Sequence, residues 1–98
     1  MIEIRETDEF STWFAELKDR RARTKITARI RRLAHGNAGD VAPVGQGISE
    51  MRIHFGPGYR VYYLRRGDVL VILLCAGTKK SQAKDIERAK VLAKEQED

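Results

Sequence analysis

Two stretches of strict alternation joined by Gly56-Pro57-Gly58 constrain this chain more than any other feature. Met51, Ile53 and Phe55 alternate with Glu50, Arg52 and His54, and Tyr59 to Arg65 alternates again beyond the turn. A period of two sends the apolar set to one face of a strand and the polar set to the other. Gly-Pro-Gly between two such strands predicts a β-hairpin. With a three-residue loop flanked by Phe55 and Tyr59, Ile53 opposes Val61 and Met51 opposes Tyr63, which makes one apolar face of six residues. The same register sets His54 against Arg60 and Arg52 against Tyr62 on the other face.

A hairpin with an apolar face needs something to cover it, and the flanking sequence supplies candidates. Ile2 and Ile4 alternate with Glu3 and Arg5 as in a short strand. Thr7 is a helix cap followed by Asp8 and Glu9, whose charges suit the positive end of a helix. Phe10, Trp13, Phe14 and Leu17 then recur at i, i+3, i+4 and i+7, an apolar helical stripe that reads as core. A second helix is predicted from about Arg20 to His35, with Ile26, Ile30 and Leu33 inward and Arg23, Arg29, Arg31 and Arg32 largely outward. Gly36, Asn37, Gly39 and Asp40 terminate it. The two helices form a hairpin able to cover one face of a sheet. Val41 to Val44 reads as a short strand, confined to an edge by Pro43. Gly67-Asp68 turns the chain into Val69 to Ala76, apolar on both faces like a central strand. Ser81 caps a closing helix in which Ile86, Ala89 and Ala93 share a face. The predicted order is β-α-α-β-β-β-β-α, an α+β fold with a mainly antiparallel sheet, a helical hairpin and a carboxy-terminal helix.

Composition narrows the class. Ninety-eight residues make a single domain over 1–98. The one long apolar run is far too short for a membrane helix, and the amino terminus lacks the basic-then-apolar order of a signal peptide. Cys75 stands alone, without partners for a disulfide framework or a zinc site. These features predict a cytoplasmic protein with no membrane association. Nineteen basic and 14 acidic residues give a net charge of +5. The excess is concentrated in residues 16–35, at +6, and in residues 52–80, at +5. Two basic blocks between acidic ones point to a polyanion or an acidic partner.

RNA strand cleavage is a chemistry that these residues can support, beside the plain reading of His54 as a surface histidine, Tyr62 as sheet surface and Lys79-Lys80 as a soluble loop. No carboxylate or histidine cluster has convincing metal-ligand spacing, and Gly45-Gln46-Gly47 lacks the lysine and helix of a phosphate loop. RNA carries its own nucleophile, the ribose 2′-hydroxyl, so a protein need only move protons and stabilise the phosphorane. No metal or other cofactor is required. Arg52, Arg60, Lys79 and Lys80 are candidates for charge stabilisation. His54, Tyr62 or a lysine are candidates for proton transfer, and Tyr62 or His54 can stack a splayed base. Lys79 and Lys80 adjoin the start of the last helix, whose free N–H groups suit phosphate. Arg29, Arg32 and Gln82 are the candidate RNA-binding residues outside this set.

The same residues carry a resemblance. Asn37-x-Gly39-Asp40-x-x-Pro43-Val44-Gly45-x-Gly47, Glu50-x-Arg52-Ile53 and Gly56-Pro57-Gly58-Tyr59-Arg60-Val61-Tyr62-Tyr63 resemble the RelE/ParE toxin superfamily. More narrowly they resemble its addiction module killer protein branch, close to HigB-type toxins. The segment from Leu73 to Ala89, with Gly77-Thr78-Lys79-Lys80-Ser81-Gln82 and Asp85-Ile86, is similar to the same branch. Ala76 departs from it, standing where the branch more often has glycine. The resemblance implies a microbial-ribonuclease-like fold and cleavage of messenger RNA on the translating ribosome, which arrests translation and growth. It also implies neutralisation by a cognate antitoxin of HigA-like helix-turn-helix type, in a heterotetramer with it. Arg60 falls where such toxins place a phosphate-stabilising arginine, Arg52 and His54 on the strand that carries basic catalytic residues, and Lys79 and Lys80 where a further one sits. ParE-type members share the fold but inhibit DNA gyrase and cleave no RNA, so fold alone does not decide between the two activities. A third reading is a nucleic-acid binder without cleavage that uses the Arg20–Arg32 helix for phosphates, a helix that an acidic antitoxin segment equally suits.

Overall fold

The computed structural model describes residues 1–96. Gly56-Pro57-Gly58 does reverse the chain, joining β3 (Ile48–Ile53) to β4 (Tyr59–Arg66). The register differs from the expected one: Ile53 pairs with Tyr59, Met51 with Val61, Arg52 with Arg60 and Glu50 with Tyr62. The reason lies in the turn. Gly58 N–H donates to the Phe55 carbonyl at 3.1 Å, closing a tight turn with φ of +56° at Gly56 and +79° at Gly58. His54 and Phe55 are thereby left outside the ladder. A slip of two residues preserves every face assignment, because the side-chain period is two. Met51, Ile53, Tyr59, Val61 and Tyr63 are all buried on one face, with Phe55 packed at its margin.

The sheet has the order β1-β5-β4-β3-β2. β1 (Glu3–Glu6) runs parallel to β5 (Leu70–Thr78), and every other pair is antiparallel. β2 (Val41–Gly45) lies at the edge, where Pro43 costs no interior ladder hydrogen bond. β5 is buried on both faces, as its unbroken apolar run demands. Against β4 its register shifts between Tyr62 and Tyr63, so Leu74 is the extra residue of a bulge. Leu74 and Cys75 consequently face the same side.

The two faces have different covers. α1 (Asp8–Glu16) and α2 (Arg20–Ala34) bury Phe10, Ala22, Ile26 and Leu33 on the Met51–Val61 face. α3 (Gln82–Glu95) buries Ala89, Leu92 and Ala93 against Ile48, Tyr62, Ile72 and Leu74 on the other. Thr7 caps α1 by accepting from Phe10 N–H at 3.1 Å, and its hydroxyl donates to the Leu74 carbonyl at 2.6 Å. One side chain thus starts the helix and anchors it to the bulge. Asp19 caps α2 through Arg21 N–H and Ala22 N–H. Ser81 precedes α3 but does not cap it: its hydroxyl is taken by Asp85 at 2.5 Å, and Lys79–Ser81 forms a 3₁₀ turn instead. Among the described residues no helix is long and apolar enough to cross a membrane.

Phe10 is 1% exposed, stacks with Phe14 and meets the tilted Trp13 ring, each at a ring-centroid separation of 6.0 Å. Truncation to alanine leaves a cavity at the junction of α1 with the sheet. Phe10→Ala is expected to lower the unfolding free energy by about 3–5 kcal/mol in denaturant titration. A loss under about 1 kcal/mol, the range of surface substitutions, would show that this junction is not core.

Candidate functional site

The polar residues of the β3–β4 hairpin gather around a carboxylate. Glu50, on β3, has a side chain 1% exposed. One of its oxygens accepts from Arg52 Nε at 3.1 Å and lies 3.9 Å from Arg60 Nε. The other accepts from the Tyr62 hydroxyl at 3.0 Å and from Gln82 Nε2 at 2.7 Å. Strand alternation puts Glu50 and Arg52 on one face of β3, and pairing brings Arg60 and Tyr62 opposite them. Gln82, the first residue of α3, closes the ring from above. Burial pushes the Glu50 carboxyl toward higher pKa. The hydrogen bonds from Gln82, Arg52 and Tyr62, together with the Arg60 charge, outweigh it and hold the group below the ordinary carboxylate range.

The two arginines are held unequally. Arg52 remains 37% exposed, with Nη1 3.9 Å from Asp40 Oδ1. The Arg60 side chain is 9% exposed, donates from Nη1 to the Gly58 carbonyl at 3.3 Å, and has a buried Nε with no hydrogen-bond partner. Lys79 adjoins this group. A methyl placed on Gly58 would lie 3.4 Å from Lys79 Cβ and 3.5 Å from Arg60 Nη1, so the turn runs between those two side chains.

A latch fixes the 3₁₀ turn that carries Lys79 and Lys80, both exposed. Ser81 Oγ donates to Asp85 and accepts from Thr78 N–H at 3.3 Å. Asp85 lies directly over Gly77, where an added Cβ would stand 1.9 Å from Asp85 Oδ2. Gly77 is therefore glycine for space rather than for backbone conformation.

Arg52, Arg60 and Gln82 come together as a cluster, with Lys79 beside them. His54 is not opposite Arg60. It lies beyond the end of β3, is 72% exposed, and meets Asp40 Oδ2 through Nε2 at 2.5 Å. Tyr62 is wholly buried with its hydroxyl given to Glu50, so it has no open face on which to stack a base. Desolvation, reinforced by the Glu50 charge, raises its pKa far above the ordinary phenol value. Arg29 is turned inward rather than outward, its guanidinium donating to the carbonyls of Arg52, Ala38 and Asp40. Arg32 is exposed on α2. Sequence reasoning missed Glu50, Asp40 and Asp85 as members of the site. The signal for Glu50 was present, since alternation alone puts it on the Arg52 face.

The cluster sets Arg52 and Arg60, with Lys79 beside them, against the carboxylates of Glu50 and Asp40. Such an arrangement offers an anionic ligand guanidinium groups that are already ordered. Because Glu50 ionises more readily in the folded than in the unfolded chain, its contribution is complete above the ordinary carboxylate range. That contribution is lost as pH falls through the folded-state value. Glu50→Ala is expected to cost about 3–5 kcal/mol at neutral pH, the penalty of leaving a buried Arg60 uncompensated. The gap to the natural protein is expected to narrow on acidification. Denaturant melts of the two proteins across the acid range check both, and a gap that widens toward acid would contradict the ionised state.

The family model described as phage-derived protein Gp49-like (DUF891) matches residues 12–96, from within α1 to the end of α3. That span includes every member of the cluster. An uncharacterized protein of Haemophilus influenzae is 53% identical over 94 residues, covering 96% of this chain and 95% of its own. The chain belongs to the Gp49-like family of phage-derived proteins.

Proposed function

We propose that this protein is the toxin of a type II toxin–antitoxin pair and an endoribonuclease that cleaves messenger RNA on the ribosome. The observation that carries the reading is the pair of arginines anchored to one buried carboxylate, with Lys79 beside them. Guanidinium groups fixed before substrate arrives stabilise developing phosphorane charge without reorganising. Membership of the Gp49-like family and the resemblance of the 37–63 and 73–89 segments to HigB-type members of the RelE/ParE superfamily support the same reading. They support in turn a cognate helix-turn-helix antitoxin as partner, in a heterotetramer, and action in the cytoplasm where messages are translated.

In this mechanism the ribose 2′-oxygen attacks the adjacent phosphorus while its proton passes to a base, and the P–O5′ bond breaks. The products are a 2′,3′-cyclic phosphate and a 5′-hydroxyl end. Arg60 and Arg52 hold the non-bridging oxygens, and Lys79 and Lys80 add charge. Tyr62 and Gln82 act through Glu50 rather than on the RNA. Arg29 supports the hairpin from behind, and Arg32 contributes only to the outer charge of α2.

Induced expression in a bacterium, with growth and transcript 5′ ends followed over minutes, tests the reading. The natural chain is expected to arrest growth and to create new 5′ ends inside reading frames. Arg52→Ala and Arg60→Ala, verified as folded by thermal melting, are each expected to slow cleavage about 100-fold or more, as removal of one preorganised donor does. Growth arrest with intact transcripts would overturn the nuclease and favour inhibition of DNA gyrase.

A further inference from the structure

His54 and Asp40 form a contact that the cluster around Glu50 does not account for. His54 is the first residue beyond β3, released from the ladder by the tight turn that follows. Its imidazole is 72% exposed and touches one carboxylate, through Nε2 to Asp40 Oδ2 at 2.5 Å. Asp40 in turn is held at its backbone. Its carbonyl accepts from Arg52 N–H at 3.0 Å and from Arg29 Nη2 at 3.2 Å. Arg29 also clamps the Ala38 carbonyl at 3.1 Å and the Arg52 carbonyl at 2.5 Å. A side chain from α2 thus fixes the segment before β2 to the end of β3. The other oxygen of Asp40 lies 3.9 Å from Arg52 Nη1. One carboxylate therefore links the exposed arginine of the cluster to the histidine.

We propose that Asp40 is a positioning residue for His54. It holds the imidazole with the proton on Nε2 and leaves Nδ1 as the base that receives the ribose 2′-hydroxyl proton. This rests on the nuclease reading above. An ionised carboxylate only accepts, so the ring nitrogen facing it carries hydrogen, and in the neutral ring the lone pair is then on the other nitrogen. The carboxylate also stabilises the imidazolium formed when Nδ1 takes the proton, as the aspartate does in a Ser-His-Asp triad. In the step itself, the 2′-hydroxyl proton moves to Nδ1 as the 2′-oxygen bonds to phosphorus. The P–O5′ bond breaks, the departing oxygen takes a proton from water, and His54 later returns its own to water. The charged groups around His54 are Asp40 from the segment before β2 and Arg52 from β3. Arg29 and Lys25 of α2 lie further back, on the Asp40 carbonyl and over the Phe55 ring. The carboxylate is the group in contact with the ring.

Long-range nitrogen–proton NMR of the full chain across the pH range where histidine titrates reads this directly. His35 serves as internal control, being exposed at the end of α2 with no side-chain partner among the described residues. His54 is expected as the Nε2–H tautomer in its neutral form. Asp40→Asn is expected to release that preference. In single-turnover cleavage of ribosome-bound message, the same change is expected to lower the maximal rate about 10- to 100-fold with message affinity unchanged, and Asp40→Glu is expected to recover part of that rate. An Nδ1–H tautomer, or a tautomer indifferent to Asp40→Asn, overturns the positioning role even if RNA is cleaved. A tautomer that changes while the rate does not overturns His54 as the base. An Nε2–H tautomer in a natural chain that cleaves no message overturns the nuclease reading instead, so the two failures are distinguishable.

Discussion

An ionised carboxylate taken out of water is costly unless donors replace its hydration, and the whole α3 face of this protein is arranged around one. Glu50 receives Arg52 from its own strand, Tyr62 from the next and Gln82 from α3, with the Arg60 charge alongside. Remove the carboxylate and three separate things lose their reason. The first turn of α3 loses its tie to the sheet, the Tyr62 hydroxyl is buried without an acceptor, and Arg60 becomes an uncompensated buried cation. The same contacts order the arginines during folding. Long side chains otherwise surrender rotamer freedom when they engage a ligand. Here that entropy is given up before any ligand is present, which is the physical content of preorganisation.

The elements of the fold were legible because they rest on local periodicity. The Phe10–Leu17 stripe, the Ile26–Leu33 spacing and the doubly apolar β5 each report burial along a single element. Face assignment in the hairpin was equally robust, since parity survives a slip of two residues. Absolute register was not legible. It depends on how many residues the connection consumes, and here the ladder ends at Ile53 and Tyr59, so the connection takes up His54 and Phe55 as well as Gly56-Pro57-Gly58. The site was half legible for a related reason. Alternation gathers Arg52, Arg60 and Tyr62 correctly, but it cannot say that Tyr62 lies beneath α3. Nor can it say that Arg29 reaches carbonyls at Ala38, Asp40 and Arg52, up to 23 residues away. Weighing cations without asking what held them left Glu50 unread, although it sat in the same alternating set.

Arg29 also separates two kinds of positive charge that composition merges. Its guanidinium is half-buried and committed to carbonyls, and that desolvation lowers its pKa, though not enough to discharge an arginine. Arg20, Arg21, Arg23, Lys25, Arg31 and Arg32 are exposed on the same helix with no carboxylate partner among the described residues. Several of them border a groove of about 500 Å³ with Phe14 in its wall. α2 covers the opposite face of the sheet from the Glu50 cluster. The two basic blocks of the sequence are therefore two surfaces. Occupying one does not require displacing anything from the other.

The division of labour proposed for Arg60 and His54 follows from where β3 stops. A group that stabilises charge works best when it cannot move, and Arg60 is walled in by Glu50, the Gly58 carbonyl and the Lys79 turn. A group that carries protons must exchange them with solvent, and His54 is open except toward Asp40. Had the ladder run on to pair His54 with Arg60, both would have been strand residues on one face, and the imidazole would have been held beside a guanidinium, which can only donate to it. The tight turn at Phe55–Gly58 ends the strand at Ile53 and hands His54 to a carboxylate instead. The two residues by which the register departs from the simplest hairpin are thus what give the histidine a carboxylate partner.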